Sequence, residues 1–246
     1  MGLIKRLYNY YFSPNKGLAR KLKPILGYTP TNLKLYIQAF AHKSTHSQKL
    51  SGSHNNERLE YLGDAILGTI VAEYLFKKYP NKDEGFLTKM RSKIVKRKTL
   101  DTVGENMALD AFLAEFNATR LSRSMMGNAV EALVGAVYLE RGYNKTKRFV
   151  IQRMLKIYVD VKGLETFDDN YKSQLLEWCQ KNGKVVSYKT VSKYKLEKRD
   201  RFKVAVYIDD EKLATADDFN KKSAEQHASL KALKILNIFN SDNNPK

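Results

Sequence analysis

The acidic residues of this sequence are the ones placed to do chemistry. Residues 1–56 hold nine Lys or Arg and no Asp or Glu, and the first acid is Glu57. Glu60 and Asp64 follow within eight residues, among Leu, Ile, Gly and Ala. At i, i+3 and i+7 the three share one face of a helix. Like charges so placed repel by about a few tenths of a kcal/mol per pair. A divalent cation relieves that repulsion, and Mg²⁺ prefers carboxylate oxygens and water. A second pair, Asn128 and Glu131, is spaced i, i+3 in a strongly apolar run where Glu131 is the only acid between Glu115 and Glu140. Burying an unpaired carboxylate is expensive. Bringing it across a helix interface to the first cluster and a metal removes the expense. On spacing alone, salt bridges to Arg58, Arg91 or Arg123 account for the same acids as well.

Other chemistries find little support. A single cysteine, Cys179, excludes an intramolecular disulfide and a Cys-rich zinc site, and reads as a partly buried thiol. His42 and His46 stand at i, i+4 without the intervening glutamate of a zinc protease, so they read as polar or capping residues, as do His54 and His227. No Ser-His-Asp or Cys-His arrangement competes. Lys+Arg is 44 against Asp+Glu 26, a net charge of +18, which favours a polyanionic partner over a small-molecule substrate. Eight cations against two acids crowd residues 184–203 alone. No apolar run approaches the ~20 residues of a membrane span. Lys5 and Arg6 interrupt the N-terminus before a secretory signal develops, so the expectation is a cytoplasmic protein with no membrane partner.

The elements that must position these residues follow from periodicity. Apolar residues three and four apart predict helices over most of 18–162, including 58–78, 86–108 and 125–139. In the first of these, Leu59, Leu62 and Ile66 point to the core, while Gly63 and Gly68 admit a neighbouring helix. Near 163–170 the pattern changes. A short helix over 171–180 is followed by strands over 184–194, 201–209 and 212–216. Phe202, Val204, Val206 and Ile208 alternate along the second strand. A closing helix over 221–239 sets Ala224, Ala228, Ala232, Ile235 and Leu236 on one face. This α-β-β-β-α order with a basic middle suits an RNA platform. Lys221 and Lys222 oppose the dipole of the closing helix unless an anion such as an RNA phosphate sits there.

The stretch HNNERLEYLGDAIL at 54–67 resembles the signature of ribonuclease III, the double-stranded-RNA endonuclease. QAFAHKS at 38–44, DEGFLTKMRSKIV at 83–95 and GNAVEALVGAVYLE at 127–140 are similar to its companion segments, in family order. The resemblance implies that Glu60 and Glu131 bind metal and that Asp64 and Glu131 are catalytic. Glu57 falls at the edge of the site, and Tyr61 is an aromatic packing into a partner subunit. It therefore implies a homodimer with two sites facing one duplex. Asn128 stands where the family usually has Asp. Asn keeps a carbonyl oxygen for Mg²⁺ or its water but loses a charge, so a retained site with weaker metal affinity is expected. Two carboxylate-held metals ~4 Å apart activate water and stabilise the leaving oxygen. The products are then 5′-phosphate and 3′-hydroxyl ends, with two-nucleotide 3′ overhangs by family pattern, and Mn²⁺ is a substitute cofactor. Ribosomal-RNA precursors, with mRNA and other structured RNAs, are the substrates the resemblance implies.

KKSAEQHAS at 221–229 and YKSQLLEWCQKN at 171–182 resemble the double-stranded-RNA-binding domain, with Glu177 facing the minor groove. The family's Gly-Pro-x-His loop is replaced by KLEKRDRF at 195–202, so that contact passes to Lys198, Arg199 and Arg201. The expected fold is multidomain α and α/β: an all-α endonuclease domain at 18–162 after a basic extension at 1–17, then a linker at 163–169, an α-β-β-β-α RNA-binding domain at 170–240 and a tail at 241–246. The competing reading is a non-catalytic duplex-RNA-binding or ribosome-assembly protein with a weakened metal site. A DNA-binding protein fits the charge but not the C-terminal motif.

Overall fold

A computed structural model describes residues 2–41, 56–116, 124–166, 169–197 and 199–238. The chain divides into two compact units, Met1–Leu164 and Glu165–Lys246. The first is helical among its described residues: α1 (Gly2–Tyr11), α2 (Lys16–Leu26), α3 (Leu33–Phe40), α4 (Glu57–Lys78), α5 (Glu84–Ile94), α6 (Arg97–Asn106), α7 (Asp110–Phe116) and α8 (Ser124–Phe149). A wide helical turn over Val150–Leu155 continues α8 into the short α9 (Lys156–Tyr158) and α10 (Val161–Thr166). The run Ala132–Val137 of α8 is buried on every side, which marks the central helix of the unit. Leu67, Ile70 and Val71 of α4, Leu22 of α2, Tyr36 and Phe40 of α3, and Met90 and Ile94 of α5 join the same core.

The helix predicted over 86–108 is two helices. Val95 ends α5 with its N–H on Arg91 O, Lys96 turns extended (ψ 136°), and Thr99 Oγ1 donates to Lys93 O at 2.8 Å. No residue of KIVKRK breaks a helix by propensity. The turn instead lets Leu100 and Val103 of α6 enter the core. On α4, Leu62 and Ile66 are only partly buried, and Leu67, Ile70 and Val71 fill the core with Leu59. The phase of α4 is set by where its backbone approaches α8 at Gly63, not by its largest side chains.

The second unit holds α11 (Tyr171–Lys181), an antiparallel sheet in the order β1 (Val186–Leu196), β2 (Arg199–Ile208), β3 (Glu211–Asp218), and α12 (Lys221–Ile235). Asp209 and Asp210 take the positive φ of a tight two-residue hairpin between β2 and β3. Leu175 and Cys179 of α11, Val206 and Ile208 of β2, and Ala228, Ala232 and Leu233 of α12 form its core. The cysteine is fully buried rather than partly so. Ile235, predicted on the buried face of α12, is exposed, and Leu233 fills the core in its place.

Candidate active site and nucleic-acid interface

The site is built where α4 crosses α8. A Cβ on Gly63 would run into the carbonyl oxygen of Glu131, and one on Gly135 would run into that of Leu59. Only glycine allows two helix backbones to touch in this way. Glu60 and Asp64 flank Gly63 on α4, and Glu131 faces it from α8, so the crossing gathers all three acids. Glu131 is half-buried, and its carboxyl is pushed up to about 7. Burial is the main cause, followed by the negative charges of Asp64 and then Glu60, with Arg97 opposing and Asp101 adding to the rise. Glu60 is partly exposed, Glu57 and Asp64 exposed, and Asn128, one turn before Glu131, partly exposed.

Gly68, the other glycine expected at a helix contact, faces open space: nothing lies within 4 Å of where its Cβ would be. Sequence reasoning passed over Gly135, and also over two residues of α6. One is Arg97, whose positive charge opposes the rise at Glu131. The other is Asp101, a buried carboxylate whose Oδ1 accepts the N–H of Gly127 at 2.9 Å, directly before Asn128. A Cβ on Gly127 would sit 2.9 Å from that oxygen, and one on Gly104 would sit 2.9 Å from Met126 O. Nothing in the polar run RKTLDTVGEN singles Asp101 out, because its partner is a main-chain N–H on another helix.

Among the described residues, no three carboxylate, imidazole or thiol groups converge tightly enough to enclose a metal ion by themselves. The donors at the crossing are all oxygen, and burial with the charges of Asp64 and Glu60 raises the carboxyl of Glu131 above the usual carboxylate range. That chemistry fits Mg²⁺, which is held by one or two carboxylates and completes its shell with water and substrate phosphate.

Tyr61 is 81% exposed near the start of α4. Ala65, Gly68, Ala72 and Phe76 continue its face along the helix, and Phe76 is 69% exposed. Beside Phe76 a hollow of about 360 Å³ opens between α4 and α5, lined by Ala72, Leu75, Leu87, Thr88 and Arg91 among others.

In the second unit, Glu177 is exposed on α11, and Lys221 and Lys222 are exposed on the first turn of α12. Asn220 caps that turn, its side-chain oxygen accepting the N–H of Ser223 at 2.8 Å. Lys221 Nζ lies 4.0 Å from Glu225, which is bound more closely by Lys172 at 2.6 Å. Arg199 and Arg201 belong to β2 rather than to a long loop, since β1 and β2 pair out to Leu196 and Arg199. Arg201 is held by Asp217 at 2.9 Å and lies over the Phe219 ring, as does Arg199. Lys198, His42, His46 and His54 lie outside the described residues, while His227 is exposed, 3.2 Å from Asp218.

Residues 32–158 match the family model described as Ribonuclease-III-like, and residues 171–236 match that of the double-stranded RNA binding motif. Ribonuclease 3 of Zunongwangia profunda is 40% identical over 96% of this chain and 98% of its own length. Ribonuclease 3 of Flavobacterium psychrophilum is 40% identical over 93% of this chain and 94% of its own. Among solved structures, the nuclease domain of ribonuclease III from Campylobacter jejuni aligns with a TM-score of 0.48 and 32% identity, covering 55% of this chain and 95% of that one. A relative this similar from end to end, with a family model over about half the sequence, shows that the chain belongs to the ribonuclease III family, the endoribonucleases of double-stranded RNA.

Proposed function

We propose that this endoribonuclease hydrolyses double-stranded RNA with Mg²⁺ as a cytoplasmic homodimer. The products are 5′-phosphate and 3′-hydroxyl ends with short 3′ overhangs, and the substrates are rRNA precursors and other structured RNAs. The observation that carries this reading is the α4–α8 crossing, where the half-buried Glu131 lies near enough to Asp64 and Glu60 for their charges to raise its carboxyl. A carboxylate so placed is unfavourable to the fold and useful to a cation. Glu60, Glu131 and the Asn128 carbonyl would hold the metal, and Asp64 and Glu131 would orient the attacking water and accept its proton. A metal held there would supply a lowered pKa for that water and positive charge for the phosphate and its leaving oxygen. Glu57, exposed one turn before Glu60, borders the site on the solvent side.

Substrate is held by the second unit. Lys221, Lys222 and the N–H groups of the first turn of α12 take phosphate, and Glu177 on α11 faces the minor groove. Arg199, at the start of β2, contributes charge, and Lys198, its neighbour in the sequence, is a further cation for phosphate. Arg201 contributes less, because Asp217 already neutralises it.

The dimer reading rests on α4. Two copies of α4 crossing antiparallel at the open Gly68 bring each Tyr61 to the level of the other copy's Leu75 and Phe76, beside the α4–α5 hollow. A self-complementary contact of this kind covers the exposed aromatic rings and sets two sites on one duplex.

The test is cleavage of a long perfect RNA duplex with Mg²⁺, wild type against Glu131→Gln. Metal-dependent fragments with 5′-phosphates, lost in the variant, are expected. Duplex binding without cleavage in both proteins, with Mg²⁺ or Mn²⁺, sinks the reading and leaves a binder with a decayed site.

A further inference from the structure

The helix α1 is mounted the wrong way round for a helix packed on a globular core. Leu3, Ile4, Leu7, Tyr8 and Tyr11 recur at spacings of three and four and share one face, with Asn9 opposite. An amphipathic helix ordinarily turns its apolar stripe to the core. Here the polar side is docked. Asn9 is buried, and its Nδ2 donates to the carbonyls of Pro30 at 2.9 Å and Thr31 at 3.1 Å. Arg6 lies over the Tyr28 ring, and Arg20 and Lys23 lie over Tyr10. The apolar stripe faces out, with Leu3 71%, Ile4 75% and Phe12 75% exposed, and Leu7, Tyr8 and Tyr11 each about half exposed. A contiguous patch of six large apolar side chains marks an interaction surface.

The charge around the stripe selects the occupant. Residues 2–41 carry seven cations and no acid. Lys5, Lys16, Arg20, Lys23 and Lys34 are exposed, and Lys21 is paired with Glu115. A second copy laid on this face sets like charge against like. An RNA duplex answers the charge but offers nothing apolar to Leu3, Ile4 and Leu7. A bilayer with acidic headgroups answers both. The aliphatic side chains enter the acyl boundary, the tyrosines and Phe12 sit at headgroup level, and the lysines meet the phosphates. We propose that α1 is a membrane-surface anchor that lays the enzyme on anionic phospholipid. Among the described residues no helix is long and apolar enough to cross a membrane. A helix lying in the interface needs no such span, so this inference departs from the sequence expectation of no membrane partner only in the peripheral sense.

The test is flotation of the full chain with vesicles of phosphatidylcholine alone or mixed with phosphatidylglycerol, at low and high salt. Wild type is expected to float with the mixed vesicles, less at high salt, and to stay behind with neutral ones. An Ile4→Glu, Leu7→Glu double variant is expected to lose roughly a hundredfold in partitioning while its duplex cleavage in solution is unchanged. Ile4→Trp keeps the face apolar, and its emission is expected to shift to the blue only with the anionic vesicles. Equal behaviour of wild type and double variant, or no flotation and no blue shift, overturns the proposal. So does a double variant whose oligomeric state changes, which gives the face to a second copy, or whose duplex affinity falls, which gives it to RNA.

Discussion

Glu131 is the residue on which the proposed chemistry turns, because the fold holds its carboxyl half-buried beside the negative charges of Asp64 and Glu60. Glu131→Gln is expected to lower cleavage by at least ~100-fold while leaving duplex affinity in the absence of metal unchanged. Measured rates and binding isotherms separate the two effects. The same residue gives the metal-free protein a pH dependence. Its pKa in the fold is about 7, raised from the ordinary 4.5. Between those values the folded state holds a proton that the unfolded chain has released, so stability falls as pH rises from about 4.5 to about 7 and then levels off. Thermal unfolding is expected to show a midpoint a few degrees lower at the alkaline end of that window. Glu131→Gln removes Glu131's contribution to the slope, and added Mg²⁺ raises the midpoint at the alkaline end by binding only the folded form. Asn128→Asp restores a negative charge one turn away. The Mg²⁺ concentration for half-maximal cleavage is expected to fall several-fold, and no change would show that Asn128 is not part of the metal's surroundings.

At the scale of elements, glycines and one capping carboxylate fix the geometry that those acids use. Gly63→Ala drives a methyl into the carbonyl of Glu131, and separating α4 from α8 costs about 1–3 kcal/mol or more, readable as a lower midpoint in urea. Activity is expected to fall further than stability, since the displaced strip of α8 carries Glu131, the carboxylate proposed as catalytic. Gly68→Ala makes the opposite case. Its methyl meets nothing within the protomer, so helix propensity predicts a gain of about 0.5–1 kcal/mol. If two copies of α4 cross there, the same methyl weakens the dimer, and sedimentation at falling concentration separates the effects. Asp101→Ala leaves the N–H of Gly127 without its acceptor and is expected to cost about 1–2 kcal/mol.

The whole molecule joins a helical nuclease unit to a small α/β unit that grips duplex RNA. Phosphate contacts make affinity of this kind fall with salt. Replacing Lys221 and Lys222 by Ala is expected to weaken binding to all duplex sequences alike. It should also flatten the slope of log affinity against log salt by roughly 1–2. An unchanged slope would show that the start of α12 is not a phosphate site. Arg201→Ala is expected to flatten the slope less than Arg199→Ala, because Asp217 already holds the Arg201 guanidinium.

Spacing and composition were enough for the helical character of the first unit and the α-β-β-β-α order of the second, whereas spacing left the acids open between salt bridges and a metal site, and the family resemblance singled out the four around which the site is read. Those signals act locally: i, i+3 and i+7 share a helix face whatever lies beyond it. Which surfaces meet was settled only by the packed chain. Gly63 and Gly68 are indistinguishable in the sequence, yet one touches the backbone of α8 and the other faces open space. Leu62 and Ile66 are as apolar as Leu67 and Ile70, but the crossing at Gly63 rotates α4 so that the latter pair is buried. Asp101 carries no local signal, because its partner lies 26 positions away. The direction of α1 escaped for the same reason. Amphipathicity shows that a helix has two faces, and only the carbonyls that meet Asn9 decide which of them is turned inward.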